Sequence, residues 1–286
     1  MVNPIYSLGV MVREVKRPTF DEALERIHDM GFESVQFNLN VLGYATVPET
    51  LPPGKAGEIG ATFWAYGLNL AAISGTFNAA HPDEAVRKAG IHGIKVLCEA
   101  AEDMGTHIIT LSTGTRDPDN LWKSHPDNTT EIAWTTLVNT MTRLIKIAEA
   151  NSVILAFKPE ASNIVNSVDK ALRLIEQVDS ENLKVVLDPV NLVTPDTIEQ
   201  QLDVFTNAFS LLSDRIALIH LSDVAGWNEH TNEFQRAPAG KGKINYPGFI
   251  KILKKSVYQG PLIFQGLDES AMKSCRDMIS DLLIKS

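Results

Sequence analysis

Four apolar runs decide the fold: Val153-Ile-Leu-Ala-Phe-Lys158-Pro-Glu160, Lys184-Val-Val-Leu-Asp188-Pro-Val-Asn191, Ile216-Ala-Leu-Ile-His220-Leu-Ser-Asp223 and Pro261-Leu-Ile-Phe-Gln265-Gly266. Each has the length of a buried strand, ends in a polar residue and is followed by a helix-like stretch. In a parallel α/β barrel all such strand ends open on one face, where side chains from different strands meet. An aspartate and a histidine there have the chemistry of metal ligands. A lysine and a glutamine on the neighbouring strands do not extend that set in an obvious way.

The same alternation extends back to the amino terminus. Strands are predicted over Ile5–Val12, Ser34–Leu39, Leu70–Ser74 and His107–Ser112. Helices are predicted over Phe20–Met30, Gly54–Tyr66, Asp83–Met104 and Glu131–Ala150. Thr19 offers an N-cap for the first helix, and Gly31, Gly67 and Gly105 offer stops. Helices over Ser167–Gln177, Thr197–Leu212, Tyr246–Ser256 and Ala271–Ile284 complete eight strands and eight helices. That count favours a closed (β/α)8 TIM barrel, one domain over residues 1–286, over an open doubly wound sheet. An open sheet would also want a glycine-rich phosphate loop after the first strand. Leu8-Gly9-Val10 supplies one glycine and no GxGxxG, so no nucleotide cofactor is expected. Two loops, 112–130 and 222–245, are long. The first carries Trp122 and His125, the second Trp227, His230 and Arg236, and loops of this length on the site face serve as lids or substrate walls.

Composition narrows the partners. The 286 residues carry 26 basic and 35 acidic side chains, a net charge of -9, so the average surface field repels nucleic acid. No apolar run approaches the ~20 residues that cross a bilayer, so no membrane partner is expected. The two cysteines, Cys98 and Cys275, lack CxxC spacing, and Cys98 sits in an apolar helical pattern. No signal-peptide pattern opens the chain, and a reducing cytoplasm is the expected location.

The segments Leu-Ser-Thr-Gly-Thr-Arg116-Asp117-Pro with His125-Pro-Asp-Asn128, Phe-Lys158-Pro-Glu160-Ala-Ser-Asn163 and Leu-Asp188-Pro-Val-Asn191 resemble the xylose isomerase-like superfamily of sugar-phosphate isomerases and epimerases. So do Pro238-Ala-Gly240-Lys-Gly242-Lys-Ile-Asn-Tyr246 and Gln265-Gly-Leu-Asp268-Glu269. The resemblance spans essentially the whole chain. It implies an enzyme of sugar metabolism that acts on a small polyhydroxylated substrate, such as a ketose, a keto-sugar acid or a cyclitol. It also implies proton abstraction beside a carbonyl, and in barrels of this type a homodimer. Members hold one divalent ion (manganese, magnesium, zinc or cobalt) with a Glu, an Asp, a His and a Glu after strands five to eight. A Lewis acid there stabilises the enolate oxygen that makes such a carbon acidic enough to deprotonate.

Carried over, the Asp falls on Asp188 and the His on His220, but the two Glu positions hold Lys158 and Gln265. Three readings stay open. Lys158 replaces the metal, pairs with Asp188 and supplies positive charge to an oxyanion, or acts as a Schiff-base lysine in a lyase or dehydratase. Alternatively Glu160, on the same side of an extended chain as residue 158, restores a metal set of Glu160, Asp188, His220 and Gln265. Or the site has decayed into a non-catalytic sugar-binding one. On the first two readings Lys158, Glu160, Asp188 and His220 carry the chemistry. Arg116, Asn191, Arg236, His125 and Gln265 are candidates for binding substrate, Arg236 because the Gly240 and Gly242 turn nearby lets backbone approach a ligand. Each has a plainer role: Asp188 and Asn191 as caps, His220 as a core residue, Arg116 as a loop brace. Endonucleases of the same superfamily need several zinc ligands at further strand ends, and Gln36 and Ser74 are poor substitutes.

Overall fold

The computed structural model describes residues 5–228 and 233–285; His230 lies outside them. Eight parallel strands close into a barrel. They are β1 (Leu8–Met11), β2 (Ser34–Phe37), β3 (Asn69–Ser74), β4 (Ile108–Ser112), β5 (Ile154–Lys158), β6 (Leu183–Leu187), β7 (Ile216–Leu221) and, after an inserted hairpin of β8 (Asp223–Asn228) and β9 (Glu233–Ala237), β10 (Leu262–Phe264). Around the barrel they run β1-β10-β7-β6-β5-β4-β3-β2. The outer layer is α1 (Phe20–Asp29), α2 (Lys55–Ala65), α3 (Glu84–Met104), α4 (Glu131–Ala150), α5 (Val168–Val178), the short α6 (Pro189–Leu192), α7 (Gln201–Leu212), α8 (Tyr246–Lys255) and α9 (Glu269–Lys285). Among the described residues no helix is long and apolar enough to cross a membrane.

Local chemistry sets these boundaries. The Thr19 hydroxyl accepts from the Glu22 amide and starts α1, as its position predicts. Gly105, at φ 91°, ends α3 in the left-handed conformation that its missing Cβ permits. The helices bury their apolar faces on the outside of the barrel in one continuous core that includes Phe37, Phe63, Phe157 and Phe264. Cys98 and Cys275 are both buried.

A second, smaller cluster fills the barrel interior: Met11, Ala71, Ala72, Ala156, Val186, Leu218 and Ile263. This layer positions the site. Because side chains alternate along a strand, the residues two steps further along point into the same interior, at the mouth. Two beyond Ala156 is Lys158, and two beyond Val186 is Asp188. Leu218 is followed in this way by His220, Ile263 by Gln265 and Ala72 by Ser74.

Two expectations need correcting. The first strand covers Leu8–Met11 rather than Ile5–Val12, because the chain turns into a single 3-10 turn over Val12–Glu14. The second long loop is not irregular: it folds into the antiparallel β8–β9 hairpin, with Trp227 packed edge-on against Phe234 at 5.0 Å. Its base is clasped by the fully buried Asp223 carboxylate, which accepts from the amides of Val224, Gly240, Gly242 and Ile244 at 2.7–2.9 Å. A Cβ on Gly242 would lie 2.3 Å from the Val224 carbonyl and 2.4 Å from Asp223. Gly242 is therefore required by this clasp, and not by the approach of a ligand.

Candidate active site

A cavity of about 280 Å³ opens at the carboxyl end of the strands. Lys158 is among its lining residues. Nζ lies 2.7 Å from Glu160 Oε1, donates to Gln265 Oε1 at 3.0 Å and lies 3.7 Å from Asp188 Oδ2. Strand β5 delivers Lys158, and the extended Pro159 step returns Glu160 to the same side, so both line the cavity. Lys158 does not point away. It fills the space between the two carboxylates, where a cation is most stabilised.

Asp188 stands behind the lysine rather than in the cavity. It is 1% exposed, and its oxygens accept from the Val190 amide (3.1 Å), the Ser222 hydroxyl (2.6 Å) and the Asn191 amide group (3.2 Å). It caps α6 and serves as the buried counter-ion of Lys158. Among the described residues Glu160 is thus the one carboxylate that lines the cavity.

His220 lines the floor. Its Nε2 faces Gln36 Oε1 at 2.8 Å, while the Gln36 amide group donates to Ser74 Oγ (2.8 Å) and Thr110 Oγ1 (3.0 Å). Because those two bonds use the Gln36 nitrogen, its oxygen must accept, so Nε2 carries the imidazole proton. Nδ1 is then the acceptor nitrogen; it is sealed from solvent and unpaired, and the Gln265 side chain lies near enough to interact with the ring. Burial pushes the imidazole down to about 3; the Lys158 charge acts in the same direction and Asp188 opposes it. The ring is therefore neutral at ordinary pH and can accept a hydrogen bond.

The metal set of Glu160, Asp188, His220 and Gln265 does not assemble. Among the described residues no group of three His, Cys, Asp or Glu side chains could hold an ion. The donor oxygens of Glu160, Asp188 and Gln265 already surround an ammonium, and a cation placed among them would meet its charge.

Of the other residues singled out in the sequence, Gln265 lines the cavity and Arg116, Asn191, Arg236 and His125 do not. Arg116 donates to the Ala80 carbonyl at 3.0 Å and braces its loop. Asn191 is bonded to Asp188. His125 Nδ1 accepts from the Asp127 amide and caps a 3-10 turn. Arg236 is exposed on the hairpin strand β9. The first long loop does form a wall, through Leu121 and Trp122. Gln36 and Ser74, poor zinc ligands by residue type, and Arg13, Asn38 and Thr110, unremarkable singly in the sequence, also line the cavity. What could have signalled them is their shared place two residues beyond a buried strand position.

Comparison with known proteins agrees with this architecture. SgbU of Escherichia coli K12, whose name provisionally makes it an L-ribulose-5-phosphate 3-epimerase, is 26% identical over 206 residues. That match takes in 69% of this chain but 64% of SgbU, less than two thirds of its length. The crystal structure of the 3-keto-D-glucoside 4-epimerase YcjR from E. coli superposes with a TM-score of 0.74 over 97% of this chain and 98% of YcjR, at 18% identity. A xylose isomerase-like TIM barrel protein from Mycobacterium smegmatis, in complex with magnesium, gives 0.72 over 97% of this chain and 96% of its own, at 15% identity. At such identities the likeness is one of fold. Residues 24–277, most of the chain, match the xylose isomerase-like TIM barrel family. The chain belongs to that family.

Proposed function

We propose that this protein is an isomerase or epimerase of small ketoses or keto-sugar acids in which the Lys158 ammonium takes the place of the family's metal ion. The observation that carries this reading is the position of Nζ: in the cavity lining, 2.7 Å from the cavity-facing carboxylate of Glu160 and 3.7 Å from the sealed carboxylate of Asp188.

The chemistry follows from charge. A substrate carbonyl oxygen placed beside Nζ is polarised. The Glu160 carboxylate takes a proton from the neighbouring carbon; the C–H electron pair becomes the carbon–carbon double bond and the carbonyl π pair moves onto oxygen as an enolate. The negative charge thereby passes from Glu160 to the enolate oxygen, and both lie next to the same ammonium. An oriented cation at the place where charge develops is the general means of lowering such a barrier. Reprotonation of the same carbon from the face opposite Glu160, by a solvent proton, gives an epimer; return of the Glu160 proton to the carbonyl carbon, with the first carbon's hydroxyl proton passing to the enolate oxygen, gives an isomer. Gln265 holds Nζ from the side. The amide and hydroxyl side chains of Asn38, Asn40, Thr46 and Ser74 suit further hydroxyl groups.

The test is proton exchange. A panel of ketoses, ketose phosphates and keto-sugar acids is incubated with the protein in deuterium oxide and read by proton NMR. The proposal expects loss of the signal beside the carbonyl for at least one compound, abolished in Glu160→Gln. Saturable binding without exchange across the panel would instead mark a non-catalytic sugar-binding protein.

A further inference from the structure

We infer that the substrate carries an oxyanion, a phosphate or a carboxylate, and that Arg13 at the rim of the cavity recognises it. This inference rests on the reading above, because it concerns the same cavity, and it adds the class of substrate. Arg13 follows Met11 of the interior layer by two residues and lines the cavity. Its backbone is pinned. The Val15 amide closes the 3-10 turn on the Val12 carbonyl, and the adjacent Glu14 carboxylate accepts from the amides of Gly266 (2.7 Å) and Leu267 (3.2 Å). The start of the chain and the segment after Gln265 are thereby tied together at the rim.

The Arg13 guanidinium, in contrast, forms no hydrogen bond or ion pair among the described residues. Elsewhere Arg17 and Arg26 share Glu269, and Arg173, Arg215 and Arg276 each meet a carboxylate. The other cation that lines the cavity, Lys158, is surrounded by Glu160, Asp188 and Gln265. Arg13 is therefore the cavity cation with its donors still to be used. A guanidinium presents a planar fork of N–H groups that matches two oxygens of a phosphate or carboxylate, which an ammonium cannot do. A substrate with its carbonyl at Lys158 and its anionic end at Arg13 satisfies both cations.

The experiment is calorimetric binding of D-ribulose, D-ribulose 5-phosphate and 5-keto-D-gluconate to the full-length protein and to its Arg13→Gln and Arg13→Lys variants, with no turnover readout. The expected result is that one of the two anionic ligands binds wild type about 10- to 100-fold tighter than the neutral ketose, as a charge-assisted fork would give. That ratio should collapse in Arg13→Gln, be partly retained in Arg13→Lys and shrink as salt rises. A larger ratio for the phosphate or for the carboxylate identifies the source of the oxyanion. An equal affinity for the three ligands, no binding by any of them, or a ratio unchanged in Arg13→Gln overturns the inference. Anion preference without deuterium exchange would leave Arg13's role standing and remove the isomerase reading; exchange without anion preference would do the reverse.

Discussion

The two walls of the cavity are built on different principles. The wall from β5, β7 and β10 carries Lys158, His220 and Gln265, together with Glu160 just beyond β5, and β6 sets Asp188 behind it. Its order is electrostatic: an ammonium at 2.7 Å and 3.7 Å from two carboxylates, backed by a neutral imidazole. The wall from β2, β3 and β4 carries Gln36, Ser74, Thr110 and Ser112, all buried and uncharged. Its order is a hydrogen-bond relay that ends by fixing the tautomer of His220. The charged wall supplies reactivity, and the neutral wall holds it in place. Changes in the first should reach both chemistry and stability, whereas changes in the second should act through geometry.

The largest effect is expected from Lys158→Met. It removes the cation from the proposed oxyanion position, which should lower kcat by about 10²- to 10³-fold. It also leaves the sealed Asp188 charge unpaired, a loss of about 3 kcal/mol in unfolding free energy for breaking a buried pair. Steady-state kinetics and urea unfolding read the two separately. Glu160→Gln comes next. Loss of the general base should cost about 10²- to 10⁴-fold in kcat, with a smaller stability change, since the amide still reaches Lys158. Equal losses of stability in the two variants would break the assignment of Glu160 to chemistry and Asp188 to support.

His220 gives a pH signature. Its folded-state value of about 3 lies below the ordinary 6.5, so the folded protein binds fewer protons than the unfolded chain between those limits. The contribution is fully present above pH 6.5 and is lost as the pH falls toward 3, at up to about 1.4 kcal/mol per pH unit. Between pH 6.5 and 5, stability should fall more steeply in wild type than in His220→Gln, as measured by chemical denaturation; parallel curves would mean that the ring is not held neutral. The smallest effect is expected from Gln36→Leu. It frees His220 Nε2 and should cost about 1–3 kcal/mol for an unsatisfied buried donor, while kcat changes less than in either charged-wall variant.

This division also explains what the sequence made legible. The strands of the charged wall announced themselves, because a charge after an apolar run is conspicuous and only a strand end tolerates it. The barrel followed from the alternation, and Thr19 and Gly105 marked helix ends by chemistry that is local. The neutral wall stayed hidden because glutamine, serine and threonine at a strand end are unremarkable singly, and their bonds join β2, β3, β4 and β7, which lie far apart in sequence. Arg116 and Arg236 drew attention for a similar reason: position in a loop does not say whether a guanidinium is already used. The hairpin within 222–245 depends on Asp223, whose four amide partners are spread from Val224 to Ile244. The choice between a metal and a lysine could not be read from residue types, since Glu160, Asp188 and His220 suit either; it turns on where Nζ lies.

The most direct test of that point is metal stoichiometry. The protein is purified without a metal-affinity tag, dialysed against manganese and then against buffer, and analysed by elemental mass spectrometry beside its Lys158→Glu variant. A lysine-centred site predicts substoichiometric metal in wild type and near-stoichiometric metal in Lys158→Glu, where a carboxylate replaces the ammonium. Near-stoichiometric metal in wild type would contradict it.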